Sequence, residues 1–404
     1  MNPNNDTPSI RFAGFTDAWE QRKLGELCSI TTGRLDANAM IDGGKYDFYT
    51  SGVEKYRIDV AAFEGPAITI AGNGANVGYL HLADGKFNAY QRTYVLTDFQ
   101  ADRQFLSSVI GQALPLKIQE EVRGSGIPYI VMDMLTELSV PLPKEGEQSK
   151  VGQLFKEVDT LITLHQRKYD QLVNIKKSML EKMFPKNGEQ VPEVRFAGFT
   201  DAWEQRKVSE IGSLSKGTGY SKSDIRDKGT PLILYGRLYT KYETVIRDVD
   251  TFTTPKDGSV YSRGGEVIIP ASGETAEDIS IASVVEKSGV ILGGDLNIVT
   301  PQSGIDSAFL ALSISHGEAH RSLSKLAQGK SVVHIHNSDI QTVEVGIPVQ
   351  AEQESISQFF EGVDRLITLH QREFTHTNPN TNYVKYYQRN RPLLCVLRSM
   401  DKSV

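Results

Sequence analysis

One thirteen-residue segment occurs twice in this chain, and it constrains the fold more than any other feature. Residues 11–23 and residues 195–207 both read RFAGFTDAWEQRK. The two copies lie 184 positions apart, which is far longer than the period of a solenoid repeat. The duplicated unit is therefore a whole domain, and the chain consists of two similar halves. We call this segment the frame motif.

A second block repeats near the end of each half. Residues 158–167 read VDTLITLHQR and residues 363–372 read VDRLITLHQR, at an offset of 205 positions. This offset is 21 positions larger than that of the frame motif, so the second half holds the longer insert. Each half is thus a variable insert between two nearly identical ends.

The composition predicts a globular protein that acts in the cytoplasm. A length of 404 residues is enough for two or three domains. No apolar run is long enough to span a membrane, and the polar start MNPNNDTPSI does not resemble a signal peptide. Cys28 and Cys395 are too few for a disulfide framework. We therefore expect a cytoplasmic location and no membrane contact.

The net charge of −6 argues weakly against nucleic-acid binding, because phosphate neutralisation requires a basic surface. The charge of a whole chain does not exclude one basic face, however. Clusters of basic residues permit such a face in the second half, namely Arg226, Lys228, Arg237, Lys241 and Arg247.

Two amphipathic helices are predicted near the repeated VD(T/R)LITLHQR blocks. Apolar residues recur every three or four positions over 146–185, which indicates one long helix with a seam for a partner helix. The second copy begins with the same pattern but loses it after Arg372. We therefore predict a truncated helix over 351–373, which leaves the far end of the first helix, 175–184, without an evident partner.

The inserts combine short β-branched runs, turn residues and a few helical stretches, which predicts an α+β fold with two β-rich globular domains separated by the long helices. The predicted boundaries are residues 1–145 for the first domain with its frame motif, 146–185 for the central helix, 186–200 for a linker with the start of the second frame motif, 201–350 for the second domain, 351–373 for the C-terminal helix and 374–404 for a divergent tail.

No active site is evident, and we expect neither a catalytic residue nor a metal site. The glycines at 72, 74 and 78 and the GKS at 329–331 leave a nucleotide-dependent enzyme as an alternative, but both depart from the phosphate-binding motifs. His334 and His336 alternate along a predicted strand, and a metal would require further ligands. A scaffold that binds proteins through both inserts is a second alternative.

The chain resembles the specificity subunit of type I restriction-modification systems. The resemblance extends to about Arg372 and rests on several motifs together: the duplicated AWEQRKLGEL and AWEQRKVSEI segments, the duplicated LITLHQR helices, and insert motifs such as AGNGANVG, KFNAYQRTYVL, ILYGRLYTKY and PASGETAEDI. Any one of these motifs alone would be weak. Their combination is specific.

This resemblance implies a non-catalytic DNA reader. Each insert would be a target-recognition domain for one half of a bipartite site in double-stranded DNA, and two antiparallel helices would pair as a coiled coil that sets the gap between the halves. The implied partners are two adenine-methylating modification subunits and, in the full complex, restriction subunits. The chain itself would bind no cofactor, whereas its partners would use S-adenosylmethionine, ATP and Mg²⁺.

The residues that could read bases are polar or basic side chains on loops and strands, because Arg favours guanine while Asn and Gln favour adenine. The predicted DNA-binding residues are Arg34, Asn73, Asn76, Gln91, Arg92, Arg237, Lys241, Ser272, Lys330 and His334. Neighbouring tyrosines could stack on bases or contact phosphates: Tyr49, Tyr94, Tyr129, Tyr235 and Tyr239. For each of these residues, a solvated charge, a turn or a core position is the alternative.

The repeated ends are predicted to join domains, helices and partners. Trp19 and Trp203 of the frame motif would form an apolar plug where each domain meets a helix. The residues predicted for helix pairing and partner docking are Leu154, Phe155, Val158, Leu161, Ile162, His165, Arg167, Phe359, Val363, Leu366, Ile367 and His370. Of these, the polar flank around His165 is the better candidate for contact with a partner.

Overall fold

The computed structural model describes residue 8 and residues 10–121, 128–186, 188–329 and 332–375. These residues form two compact units. The first takes the described parts of Met1–Arg167 and Gln371–Val404, and the second is Lys168–His370. The predicted tail 374–404 lies almost wholly outside the described residues.

The described part of the first unit contains ten strands and four helices. The strands are β1 (Glu20–Lys23), β2 (Ser29–Thr32), β3 (Tyr46–Tyr49), β4 (Lys55–Ile58), β5 (Phe63–Glu64), β6 (Ala67–Ala71), β7 (Leu80–Ala83), β8 (Lys86–Ala89), β9 (Thr93–Thr97) and β10 (Ser139–Leu142). The helices are α1 (Leu24–Leu27), α2 (Arg103–Glu121), α3 (Met132–Thr136) and α4 (Glu145–Lys182), the last of which continues into the second unit.

Two four-stranded sheets form the first domain, with strand orders β2-β9-β6-β7 and β4-β3-β8-β5. Helix α2 covers the first sheet, and its apolar side chains pack against those on one face of the strands to form a single core. Ile68, Ile70 and Leu96 of the sheet are fully buried together with Phe105 and Ile110 of α2. Strands β6 and β9 are buried on both faces, and Ile68 and Ile70, two positions apart, point into the same core, as the alternation of side chains along a strand requires.

The described part of the second unit contains twelve further strands and seven helices. The strands are β11 (Glu204–Lys207), β12 (Gly212–Lys216), β13 (Thr230–Ile233), β14 (Val245–Ile246), β15 (Phe252–Thr253), β16 (Glu266–Pro270), β17 (Ser272–Gly273), β18 (Ser283–Val285), β19 (Ile291–Leu292), β20 (Leu296–Pro301), β21 (Val333–His334) and β22 (Glu344–Ile347). The helices are α5 (Val208–Ile211), α6 (Gly236–Thr240), α7 (Ala276–Ile279), α8 (Ser307–Ser315), α9 (Gly317–Leu326), α10 (Asn337–Ile340) and α11 (Gln350–Thr375).

The second domain repeats the topology of the first. Its sheets have the orders β12-β20-β16-β18-β14 and β15-β13-β19, which match β2-β9-β6-β7 and β4-β3-β8 with one added edge strand. The parallel pair β3 and β8 has its counterpart in the parallel pair β13 and β19. The predicted α+β class with two β-rich domains is confirmed.

Most of the difference in length lies after the third strand of each domain. Equivalent residues are 184 positions apart at Tyr49 and Ile233, but 195 apart at Arg57 and Phe252. The added residues form helix α6 and strand β14, which the first domain lacks.

The frame motif attaches each domain to the first turn of its long helix. Arg11 donates two hydrogen bonds to the buried carboxylate of Glu147, at 2.8 and 2.6 Å, and the Trp19 indole donates a third at 3.1 Å. Arg195 binds Glu352 in the same two-fold manner, at 2.6 and 2.7 Å. A buried carboxylate needs such partners, which explains why the motif and the helix start are repeated together.

Glutamines on the same helical turns make a second repeated attachment. The Asp102 backbone N–H donates to Gln148 Oε1 at 2.9 Å, and the Asp306 N–H donates to Gln353 Oε1 at 2.9 Å. Both glutamines are buried. Strand β1 pairs with β10, and β11 pairs with β22, so each frame motif also closes a two-stranded ribbon.

The long helices extend over Glu145–Lys182 and Gln350–Thr375, so the second is shorter than the first but continues slightly beyond its predicted end. Within the second unit, the end of α4 packs against α11. Lys176 Nζ lies 2.5 Å from Asp364 Oδ1, and the Phe184 and Phe360 rings are 6.3 Å apart. Later residues of α4 meet earlier residues of α11, so these segments are antiparallel, as predicted.

The prediction that residues 175–184 lack a partner is wrong. Met183 and Phe184 are buried in the core of the second unit, and Phe184 also packs edge-on against Trp203 at 6.0 Å. The truncation of the second helix leaves its first turns intact, and these turns supply the contacts. Trp203 is only 1% exposed, which confirms the predicted apolar plug for this half.

Candidate nucleic-acid interface

Four loop segments of the first domain join edge to edge, and we call residues 33–36, 72–76, 90–92 and 128–130 the first loop cluster. The Gln91 N–H donates to Leu35 O at 2.8 Å, and the Gly72 N–H donates to Arg92 O at 2.9 Å. The Ile130 N–H donates in turn to Gly72 O at 2.8 Å. Backbone hydrogen bonds therefore hold loops from distant parts of the sequence in one surface.

Two glycines allow this close approach. A Cβ on Gly33 would lie 2.0 Å from Ala89 O, and a Cβ on Gly72 would lie 2.2 Å from Arg92 O. Both distances are impossible for a side chain, so only glycine lets these backbones touch. The run of glycines at 72, 74 and 78 thus shapes a tight loop. It leads into strand β7 rather than a helix, so it lacks the helix N-terminus that a phosphate-binding loop needs.

All five predicted DNA-binding residues of the first insert fall in the first loop cluster. Arg34, Gln91 and Arg92 are exposed, while Asn73 and Asn76 are half-buried. Within the described residues, Arg34 and Arg92 form no ion pair, so both guanidinium groups can approach an anion. The arrangement combines two free cations with three amides, which suits both phosphate contact and base reading.

Of the three tyrosines predicted to contact DNA in this domain, one is exposed and two are buried. Tyr129 is 60% exposed and lies in the first loop cluster, so its ring is available to a ligand. Tyr49 and Tyr94 are buried in the core instead. Burial, with the nearby carboxylate of Asp47, raises the pKa of Tyr49 to about 12. These two predictions are wrong because both side chains point from their strands into the domain rather than into solvent.

The second domain builds an equivalent surface, the second loop cluster, from residues 217–219, 271–274, 293–295 and 332–336. The Ala271 N–H donates to Asp295 O at 2.8 Å, and the Ile335 N–H donates to Ala271 O at 3.0 Å. These bonds repeat those of Gly72 in the first domain. Gly217 repeats the close approach of Gly33, since its Cβ would lie 2.0 Å from Gly293 O.

The two clusters share a backbone pattern but present different side chains. Asn73 of the first domain corresponds to Ser272 of the second, and Tyr129 corresponds to His334. At a third position, Arg92 corresponds to Asp295. A shared scaffold with exchanged polar groups is what two readers of different sequences would require.

Arg237 does not reach this surface as a free side chain. Its guanidinium is 8% exposed and donates to Asp250 Oδ1 at 2.9 Å, to Glu243 and to Asp248 O at 2.9 Å. Lys241 Nζ lies 2.8 Å from Asp250 Oδ2, and this hydrogen bond, with the charge of Arg237, lowers the pKa of Asp250. Arg237 therefore fixes helix α6. Three acceptors already hold its guanidinium, which does not favour the predicted base contact.

The remaining predictions for the second insert fall on or near strands β17 and β21. Ser272 is buried on β17, which does not favour its predicted base contact. His334 is exposed on β21, directly opposite Ser272, and its ring stacks on that of His336 at 6.5 Å. Lys330 lies outside the described residues.

The predicted helix-pairing residues occupy several environments. On α4, Phe155 is buried while Leu154 and Leu161 are exposed, and on α11, Val363 is buried while Leu366 is exposed. The others are half-buried, apart from the exposed Arg167: Val158, Ile162, His165, Phe359, Ile367 and His370. Two further leucines of the repeated LITLHQR segments are exposed, Leu164 and Leu369, although neither was among the predicted residues.

Other classes of site find no support in the described chain. No group of three or more His, Cys, Asp or Glu side chains in those residues could hold a metal ion. The described helices include none with the length and apolar character of a membrane span.

Two equivalent α+β domains with matching loop clusters define a protein with tandem recognition domains. A family model for the type I restriction modification DNA specificity domain matches residues 16–174 and residues 200–375. The chain belongs to this family, which confirms the resemblance inferred from its motifs.

Known relatives agree with this assignment. The chain is 35% identical over 216 residues to the type I restriction enzyme EcoDI specificity subunit of Escherichia coli, covering 51% of this chain and 48% of that protein. The match thus spans about half the length of that relative. Over 382 residues it is 20% identical to the MjaVIII specificity subunit of Methanocaldococcus jannaschii, covering 88% of each.

The fold has a counterpart among solved structures. It is similar to the crystal structure of a type I restriction-modification system S subunit from M. genitalium, with a TM-score of 0.58 and 15% identity. The similarity covers 92% of this chain and 95% of that one.

Proposed function

We propose that this chain is the non-catalytic DNA-specificity subunit of a type I restriction-modification complex. Each domain reads one half of a bipartite site through its loop cluster, and the long helices set the gap between the half-sites. The observation that carries this proposal is the pair of equivalent loop clusters, which keep one backbone pattern and exchange the side chains that it presents. The family and the similar specificity subunits support it.

The proposed readers in the first domain are Arg34, Asn73, Asn76, Gln91 and Arg92, and in the second domain His334 and Lys330. Arg34 and Arg92, which form no ion pair with any described residue, lie on a chain of net charge −6, so the basic character of this surface is local. Local cations are sufficient for phosphate contact when partner subunits also hold the DNA.

The exposed leucines of the long helices are the proposed docking surface for two adenine-methylating modification subunits. These partners would supply S-adenosylmethionine chemistry, and restriction subunits would add ATP- and Mg²⁺-dependent cleavage in the full complex. The chain itself would bind none of these cofactors and would act in the cytoplasm. A two-headed protein scaffold is the competing proposal, and it predicts binding that does not depend on DNA sequence.

The first test is a genome-wide map of adenine methylation in cells that express this chain with a cognate modification subunit. We expect one bipartite motif with a fixed gap, absent from cells that express the modification subunit alone. A methylated motif that does not depend on this chain, or no motif at all despite a stable complex, would contradict the proposal.

A variant of one reader sharpens this test. Arg92→Ala should relax base choice at one position of the first half-site, at a cost of about 1–3 kcal/mol in discrimination. Arg321→Ala is the matched control, because Arg321 is exposed and pairs with Glu318 on its own helix. The control should leave the motif unchanged.

A further inference from the structure

The side chain of Asn73 is hydrogen-bonded by Ser51, which was not among the predicted site residues. Ser51 Oγ donates a hydrogen bond to Asn73 Oδ1 at 2.6 Å. Ser51 lies two residues beyond the end of β3, and Asn73 lies 22 residues later in the first loop cluster. No local motif connects them, so only the fold brings the hydroxyl to the amide.

The backbone around Asn73 is fixed on both sides. Gly72 bonds to Arg92 on one side and to Ile130 on the other, and the Gly74 N–H donates to Pro128 O at 3.1 Å. The loop cannot shift as a whole without breaking these bonds. The remaining freedom of Asn73 is rotation of its side chain, and the hydrogen bond from Ser51 restrains that rotation.

The hydrogen bond from Ser51 leaves one edge of the amide available. Within the described residues, Asn73 Nδ2 has no hydrogen-bond partner, and it is not among the buried polar atoms without one. Nδ2 is therefore open to solvent. Oδ1 has two lone pairs, of which Ser51 uses one. The amide thus presents a donor and an acceptor side by side in a fixed order.

We propose that Ser51 is a positioning residue that orients the Asn73 amide for bidentate reading of one adenine in the first half-site. This inference rests on the proposed function. An asparagine amide donates to adenine N7 and accepts from its N6 amino group in the major groove, and it can do so only when oxygen and nitrogen have the correct order. Ser51 restrains the amide plane by donating to Oδ1, and without Ser51 the amide rotates freely about its terminal side-chain bond.

The second domain does not repeat this device. Its residues at the equivalent positions are Tyr235 and Ser272, and Ser272 is buried. Helix α6 begins immediately after Tyr235 and has no counterpart in the first domain. Any effect of Ser51 is therefore confined to the first half-site, and the second half-site serves as an internal control in the same molecule.

The test is the methylation motif of the full chain assembled with its modification subunit, mapped for wild type and for three variants. Ser51→Ala should lower discrimination for adenine at one position of the first half-site by about tenfold, the range of a lost bidentate contact. Asn73→Ala should relax the same position. Ser51→Thr retains the hydroxyl and should keep the wild-type motif. Ser51→Cys replaces Ser51→Ala if the alanine variant does not fold.

The outcomes separate this inference from the function on which it rests. A wild-type chain that yields no bipartite motif overturns the proposed function. A wild-type motif that is unchanged in both Ser51→Ala and Asn73→Ala overturns only the role of these residues. Relaxation by Asn73→Ala without relaxation by Ser51→Ala leaves Asn73 as a reader and overturns the positioning role of Ser51.

Discussion

His316 has a ring nitrogen buried in the interior of the second unit and a lowered pKa. Its Nε2 atom is buried without a hydrogen-bond partner among the described residues, as are Trp203 Nε1 and Ser313 Oγ. All three residues line one small cavity of about 60 Å³. Burial, together with the positive charges of Lys176 and His320, lowers the pKa of His316 to about 4. The folded protein thus holds this ring neutral.

The stability of the second unit should therefore depend on pH through His316. The unfolded chain binds a proton near pH 6.5, whereas the folded chain does so only near pH 4, so the unfolded state binds more protons between these values. We expect the contribution of His316 to be complete above about pH 6.5 and to fall by up to about 1.4 kcal/mol for each pH unit between pH 6.5 and about pH 4.

Urea unfolding at pH 7.5 and pH 5.5 measures this dependence through Trp203 fluorescence, in a Trp19→Phe background so that only the second unit reports. His316→Asn should reduce the difference in the free energy of unfolding between the two pH values. His334→Asn, which alters an exposed ring, is the control and should retain the wild-type difference. Equal pH dependence in all three chains would contradict the assignment.

Each long helix is attached to a domain at its first turns and exposes leucines at its later turns. The attachments are made through Glu147 and Glu352. Leu161 is 53% exposed, and Leu366 occupies the same place in the second LITLHQR segment at 45%. An exposed leucine adds nothing to the core of its own domain. Its repetition in both helices suits the proposed docking of a partner subunit.

Leu161→Asp should weaken binding of the modification subunit without lowering the stability of this chain. A charge on an apolar docking face must lose its hydration when the partner binds, whereas on an exposed helix it disturbs nothing in the free protein. Thr163→Asp is the matched control, since two residues place it on the opposite side of the helix.

Co-purification with the modification subunit measures partner binding, and a thermal melt of the isolated chain measures its stability. A Leu161→Asp chain that melts as wild type and still co-purifies at wild-type yield would exclude this face from docking. Equal losses with Leu161→Asp and Thr163→Asp would indicate damage to the helix instead.

For the whole molecule, helix α4 is a long element that belongs to both units, with the division between Arg167 and Lys168. Helix α11 also crosses the division, between His370 and Gln371. A continuous helix of 38 residues has a fixed rise per residue, so the number of residues sets its length. The gap between the half-sites should therefore depend on the length of α4. The bases of each half-site should depend only on the loop clusters.

Insertion of four helix-forming residues after Arg167 adds roughly 6 Å to α4. We expect the gap of the methylated motif to change by about one or two base pairs, because successive base pairs lie about 3.4 Å apart along each strand. Both half-sites should remain as in wild type. An insertion variant that methylates the original motif would show that α4 does not set the gap. Substitution of four exposed residues in place of insertion controls for local damage.

The sequence by itself determined the architecture. The duplicated frame motif and the offsets predicted two similar domains, the β-branched runs of the inserts predicted their α+β class, and the helical period predicted one long helix with a seam for a partner. The antiparallel pairing of the two helices followed from the resemblance to specificity subunits. The repeated residues contact one another in the same way in each half, as Arg11 with Glu147 and Arg195 with Glu352 do. Repeated residues that make equivalent contacts are recognisable as repeats in the sequence itself.

Tertiary structure decided which side chains are free to act. Arg237 and Ser272 had the residue types of DNA readers, but three acceptors hold the first and the core encloses the second. Ser51 carried no local signal, yet its hydroxyl reaches Asn73. Residue type and spacing fix what a side chain can do. Its neighbours come from strands and loops distant in sequence, and they alone determine whether that capacity is already used inside the fold or is left for a ligand.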